Sequence, residues 1–187
     1  MKRWIIIALL LVAGGFIGLY FLNPYGTATW DPRARLLGVT TFRIASMSMA
    51  PTLVSGDFIL VQSTAYAAKP PKNGELVVFR FPRDRSLTYV SRIAGAPGDK
   101  LSIQDGMVYL NGTALHEIYL PIQPPTEPHS LLMSEVIIPP GHLFVLGDNR
   151  DNSNDSRFWG LLPVDDVIGK VTYIWLSEDT KRIGKVQ

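Results

Sequence analysis

A mainly β fold, an antiparallel sheet domain behind one N-terminal membrane-spanning helix, is what this sequence predicts, and three observations predict it. Residues 4–22 form an uncharged, almost wholly apolar run. Beyond it, apolar or alternating runs of strand length recur, with little helical periodicity. Between them stand Gly56-Asp57, Asn73-Gly74, Pro97-Gly98, Asp105-Gly106, Asn111-Gly112 and Pro140-Gly141. Asp-Gly and Asn-Gly favour the φ > 0 geometry of tight hairpins.

The run 4–22 is long enough to cross a hydrocarbon core of ~30 Å as a helix. A cleavable signal peptide is the competing reading. The run exceeds a usual signal core in length and has no clear small-x-small exit, which favours an anchor. Lys2 and Arg3 precede it, so the positive-inside tendency puts the N-terminus in the cytoplasm and the rest on the outer, periplasmic side of the cytoplasmic membrane. Tyr20, Tyr25 and Trp30 are spaced to lie at that interface. The expected division is a cytoplasmic stub and transmembrane helix over 1–23 and an exported β-rich domain over 24–187. A smaller hairpin excursion is expected near 103–140.

Strands are expected at 57–62, 75–81, 87–94, 100–103, 107–110, 135–138, 142–146 and 167–176. Residues 121–129 are proline-rich and weakly patterned, an extended connection between the central hairpin and the returning strand. Without the anchor the chain is the size of one domain with a single core, read as monomeric. The formal charge is +2 and the basic residues are scattered, so nucleic acid is not an expected partner. Cysteine is absent, which excludes disulfides, a thiol nucleophile and a Cys-ligated metal. His116, His129 and His142 lie far apart. No metal and no cofactor are expected.

The chemistry is carried by three blocks. The first is Ser46-Met47-Ser48-Met49-Ala50-Pro51-Thr52-Leu53, followed by Gly56-Asp57-Phe58. The second is Tyr89-Val90-Ser91-Arg92 with Gly95 and Pro97-Gly98-Asp99 behind it, and the third runs from Gly147-Asp148-Asn149-Arg150 through Ser153, Asp155 and Arg157 to Gly160. Alone, Ser-x-Ser is usually a polar loop. In this order the blocks resemble the type I signal (leader) peptidases, and the likeness covers most of the chain beyond the anchor.

The resemblance implies an antiparallel catalytic domain of signal-peptidase type. It implies Ser48 as nucleophile, Ser46 as an oxyanion-hole donor and Ser153 as the hydroxyl that orients the base. Acyl transfer builds charge on the carbonyl oxygen, so such donors are required. It further implies Arg92 with Asp148, and Asp155 with Arg157, as structural supports. Signal peptides of secreted preproteins are the implied partners, bound as an added strand and cut after small residues of Ala-x-Ala type. Phe42, Ile44, Leu53, Tyr89 and Val90 match the positions that wall the family's pockets. Each is equally readable as β-core.

The chain departs from the family at three places. Ala45 stands where proline is usual and Met47 where glycine is common. The larger departure is Ser91, at the position of the family's general-base lysine. A serine hydroxyl cannot replace a neutral amine, because its own proton is far harder to remove. Three explanations stand open: a deliberate base knockout, a natural paralogue that binds signal peptides without cutting them, or a base from elsewhere. Lys100, Lys69, Lys72 and His142 are the alternative nitrogens, and Lys100 is the foremost of them by sequence.

Overall fold

The computed structural model describes residues 2–186. The apolar run forms α1 (Lys2–Leu22), whose 21 residues are about 30 Å long at ~1.5 Å per residue. Its side chains from Trp4 to Leu22 are largely exposed, and its mean hydropathy of 2.7 makes it long and apolar enough to cross a membrane. An uncovered apolar helix of this size does not suit water. Arg35 ties its foot to the domain. Its Nη1 donates to Tyr20 O in the last turn at 3.4 Å, its Nε donates to Thr29 O at 2.8 Å, and its guanidinium lies 3.9 Å from the Trp30 ring centroid.

The chain then lays down β1 (Val39–Arg43), β2 (Phe58–Gln62), β3 (Leu76–Phe81) and the long β4 (Asp84–Gly95). A smaller sheet follows from β5 (Lys100–Gln104), β6 (Met107–Leu110), β7 (Thr113–Ala114) and β8 (Met133–Ile137). β9 (His142–Leu146), β10 (Leu162–Pro163), β11 (Val167–Leu176) and β12 (Gly184–Lys185) return to the first sheet. That sheet runs β1-β2-β11-β3-β4-β9-β10, with β12 on β11, and the smaller one runs β7-β6-β5-β8. The pairings are antiparallel, as the alternation and turn residues predict.

The β5–β6 hairpin turns on Asp105 at φ 50° and Gly106 at φ 78°. Two consecutive positive φ values are what the Asp-Gly pair supplies at low cost. β9 is apolar and buried from Leu143 to Leu146 because both of its faces are covered. Leu143 and Val145 join Phe79, Ile93 and Trp159 on one side, while Phe144 and Leu146 join Leu101, Ile103 and Ile138 from the small sheet on the other. A third cluster, of Ile44, Met49, Leu53, Ile59, Val78 and their neighbours, lies under the first serine block.

Two local expectations need correction. β1 was not expected as a strand; its Val-Thr-Thr-Phe-Arg sequence has β-branched residues but no clean alternation, and pairing with β2 decides it. The proline-rich connection 121–129 is not extended throughout, because α2 (Pro128–Leu131) begins inside it with Pro128 in its first turn, where a missing N–H costs nothing. A second single-turn helix, α3 (Ser156–Trp159), starts on Asp155, whose side chain accepts from Arg157 N.

Candidate active site

A cavity of about 500 Å³ opens between the end of β1, the middle of β4 and the loop after β9. It brings Ser46, Ser48, Ser91 and Ser153 together, four hydroxyls drawn from all three sequence blocks. Phe42, Ile44, Tyr89 and Val90 also border it. Leu53 does not. It is fully buried in the cluster beneath, because the turn closed by Leu53 N donating to Met49 O at 2.9 Å aims its side chain inward. Tyr89 stacks its ring on Phe81 at a centroid separation of 4.7 Å, so Val90, packed with Ile59 and Val78, supplies the apolar wall from β4.

Ser48 sits on a tight turn directly after β1. Ala50 N donates to Met47 O at 3.0 Å, and the core residues Met49 and Leu53 pin the turn from below. Asn149 fixes it from the side, its N–H donating to Ser48 O at 3.0 Å and its Nδ2 to Met47 O at 3.1 Å. The Ser46 and Ser48 Oγ atoms lie 3.0 Å apart, within hydrogen-bonding distance. Gly147 passes so close that an added Cβ would stand 2.1 Å from Ser153 Oγ and 2.6 Å from Ser48 O. Only glycine fits there.

Ser91 is 3% exposed, and its hydroxyl donates to Val90 O at 2.9 Å. It therefore turns its proton toward its own strand. Ser153 is 7% exposed and borders the cavity. Among the described residues that border it there is no lysine or histidine, and Arg43 is the sole charged side chain. Lys100 begins β5 in the small sheet, Lys69 and Lys72 are exposed in the loop before β3, and His142 starts β9 with Nδ1 3.1 Å from Pro140 O. The structure brings none of these four to the cavity.

Behind the hydroxyls lies a buried ionic layer. Arg92 Nε and Nη2 donate to Asp148 at 2.9 and 2.7 Å, and Thr52 Oγ1 donates to the same carboxylate at 2.5 Å. Asp155 receives Arg157 Nε and Nη2, both at 2.8 Å, and Gly147 N at 2.9 Å. Both expected pairs are formed. A third pair was not foreseen: Arg150 Nη2 donates to Glu117 at 2.7 Å, with both side chains 5% exposed. Tyr119 donates to the same Glu117 and lies under Arg92, with 3.7 Å from Cζ to its ring centroid. Burial and the neighbouring Glu117 charge push the Tyr119 hydroxyl well above its usual pKa.

Arg182 was also missed. Its Nη1 and Nη2 donate to Pro51 O and Thr52 O at 3.1 and 3.0 Å, and Nη2 reaches Asp57 at 2.7 Å. Burial opposes the Asp57 charge, but hydrogen bonds from Arg182, Val54 N and Ser177 outweigh it and hold the carboxyl below its usual pKa. A single acid preceded by glycine and a lone arginine near the C-terminus offers no spacing signal for this contact. Among the described residues, no group of three or more His, Asp or Glu side chains is placed to hold a metal ion.

Serine hydroxyls gathered in a cleft over an antiparallel sheet, braced from behind by buried Arg–carboxylate pairs, define a β-sheet protein of the serine-peptidase class. Residues 33–176 match the family model for signal peptidase, peptidase S26, and the chain belongs to that family. It is 32% identical over 185 residues to signal peptidase I of Pseudomonas fluorescens, covering 74% of this chain and 65% of the relative. It is 36% identical over 137 residues to the probable signal peptidase I-1 of Synechocystis sp., covering 70% and 67%. The chain thus spans about two-thirds of the length of these relatives. A crystal structure of a signal peptidase I from Enterococcus faecalis superposes with a TM-score of 0.50 at 30% identity, covering 56% of this chain and 98% of that one.

Proposed function

We propose that α1 anchors this chain in the cytoplasmic membrane with its N-terminus inside, and that the β domain on the outer side recognises signal peptides of exported preproteins. Ser48 is the nucleophile that cuts them after small residues of Ala-x-Ala type, Ser46 supports the oxyanion, and Ser153 is the hydroxyl that faces the base. The reading is supported above all by the 3.0 Å pairing of Ser46 and Ser48 in a cleft that begins at an edge strand. Ile44 N donates to Asp57 O and Ile44 O accepts from Gly56 N, so the backbone groups of the alternate residue Arg43 face the open side, while Ala45 O accepts from Ser55 Oγ at 3.5 Å. An extended peptide can add there as a strand, with its small side chains against Ile44 and Val90.

A second reading, that the chain holds signal peptides without cutting them, is favoured by one observation. No amine or imidazole borders the cleft among the described residues, and Ser91 occupies the position where the family resemblance puts a lysine. A hydroxyl nucleophile without a base is a resting alcohol. Cleavage of a preprotein in detergent by the chain, by Ser48→Ala and by Ser91→Lys separates the readings. Ser48-dependent cutting by Ser91→Lys supports the endopeptidase scaffold, and binding without cutting by all three refutes it.

A further inference from the structure

We infer that Arg43 is a specificity-determining residue of the cleft, and that it selects peptides with a carboxylate side chain at position −4, the residue just before the Ala-x-Ala triplet. The inference rests on the signal-peptide reading above and deepens it.

Arg43 stands apart from every other arginine beyond α1. Each of the others gives its guanidinium to a carboxylate or to a backbone carbonyl. Among the described residues the Arg43 guanidinium has no hydrogen bond and no ion pair, and its one ring contact is with Phe58, 5.9 Å from the centroid. It is exposed, and it is the sole charged side chain on the cavity. A guanidinium keeps its charge at any ordinary pH. The cleft therefore carries a standing positive charge that the chain itself leaves unmatched.

β1 fixes the face on which that charge stands. Thr40 and Ile44 are buried, and Phe42 packs on the cluster under the first serine block. Alternation puts Arg43 on the opposite face, where its register partner is Phe58. Its backbone N–H and C=O face the open edge, since β2 takes those of Ile44. A peptide added there has one residue level with Arg43, and the side chain of that residue shares the Arg43 face.

Register names that residue. Ser48 lies beyond Ile44 along the chain, and the small side chains upstream of the cut lie against Ile44 and Val90, so the peptide runs in the direction of β1. With −3 on the face of Ile44, −4 comes level with Arg43 and −5 turns back toward Phe42. Residue −2 shares the outward face but lies about 7 Å farther along. Opposite charges that face each other across strands attract, and like charges repel.

The test measures dissociation constants for the full chain in detergent, carrying Ser48→Ala to block turnover, with fluorescent peptides that have Ala at −3 and −1. Glu at −4 should bind about three- to fivefold tighter than Gln, the scale of a partly exposed ion pair, and Lys should bind weaker than Gln. The spread should narrow as salt rises. The same Glu moved to −5 should bring no gain. Arg43→Gln should erase the difference between the Glu and Gln peptides. Arg43→Glu should invert the order, so that Lys binds best, a result that loss of folding cannot produce. Peptides with Leu at −3 and −1 read the underlying function separately. If Ala is preferred to Leu but position −4 is indifferent, the inference falls and the signal-peptide reading stands. If Arg43→Gln still favours Glu, the inference falls as well. If the Ala and Leu peptides bind alike, or none binds, the signal-peptide reading falls and the inference with it.

Discussion

Glu117→Gln tests whether the segment between β7 and β8 is part of the site's foundation. Three buried arginines, Arg92, Arg150 and Arg157, face three buried carboxylates, Asp148, Glu117 and Asp155, with every side chain at most 5% exposed. The layer is neutral only with Glu117 included. Glutamine preserves the shape but leaves Arg150 with an uncompensated charge, and breaking one partner of a buried pair costs about 3–5 kcal/mol. For a domain of this size that corresponds to a fall in Tm of roughly 6–20 °C. Urea unfolding of the detergent-solubilised chain, followed through Trp159 in the core, measures it. The double variant Glu117→Gln with Arg150→Met should recover at least half of the loss, because the orphaned charge is gone. A loss below about 0.5 kcal/mol for Glu117→Gln, the level of an ordinary surface substitution, would refute the reasoning and make the contact incidental.

Three further outcomes follow from the same geometry. Gly147→Ala should abolish cutting in the Ser91→Lys background while the sheet stays folded, because its Cβ meets Ser153 Oγ and Ser48 O well inside contact distance; circular dichroism and the cleavage assay together check this. Leu53→Ala should cost about 2–5 kcal/mol by core cavity formation and leave peptide binding in the cleft intact, since Leu53 lies beneath it; binding isotherms below the melting range test the separation. Asp57→Asn should destabilise at neutral pH, and the gap should shrink as pH falls. The folded Asp57 pKa is depressed, so its contribution is present above the unfolded value of ~3.9 and lost as pH drops through the folded one. A gap that is constant from pH 7 to pH 2 would contradict the Arg182 clamp.

Much of the architecture is legible in the residues because its causes are local. An apolar run of membrane-crossing length is helical wherever it goes, since no other open structure satisfies its backbone in lipid. Asp105-Gly106 turns a hairpin because those two residues tolerate positive φ. The serine blocks are visible as motifs, and so is the absence of lysine at Ser91. β1 was less legible: five residues without clean alternation become a strand only when β2 presents its edge.

What the sequence by itself determined is therefore the helix, the hairpins, the antiparallel class and the family to which the chain belongs. Tertiary structure alone decided that β11 lies between β2 and β3, that Leu53 is core, that Glu117 completes the ionic layer, and that Arg182 grips the Ser48 turn from 130 residues away. The division is physical. Propensity and turn chemistry act over a few neighbours and leave a local trace, whereas a buried charge requires only some opposite charge, and any of the chain's sixteen acids would satisfy that requirement on paper. Which one does is set by the packing that brings it within 3 Å.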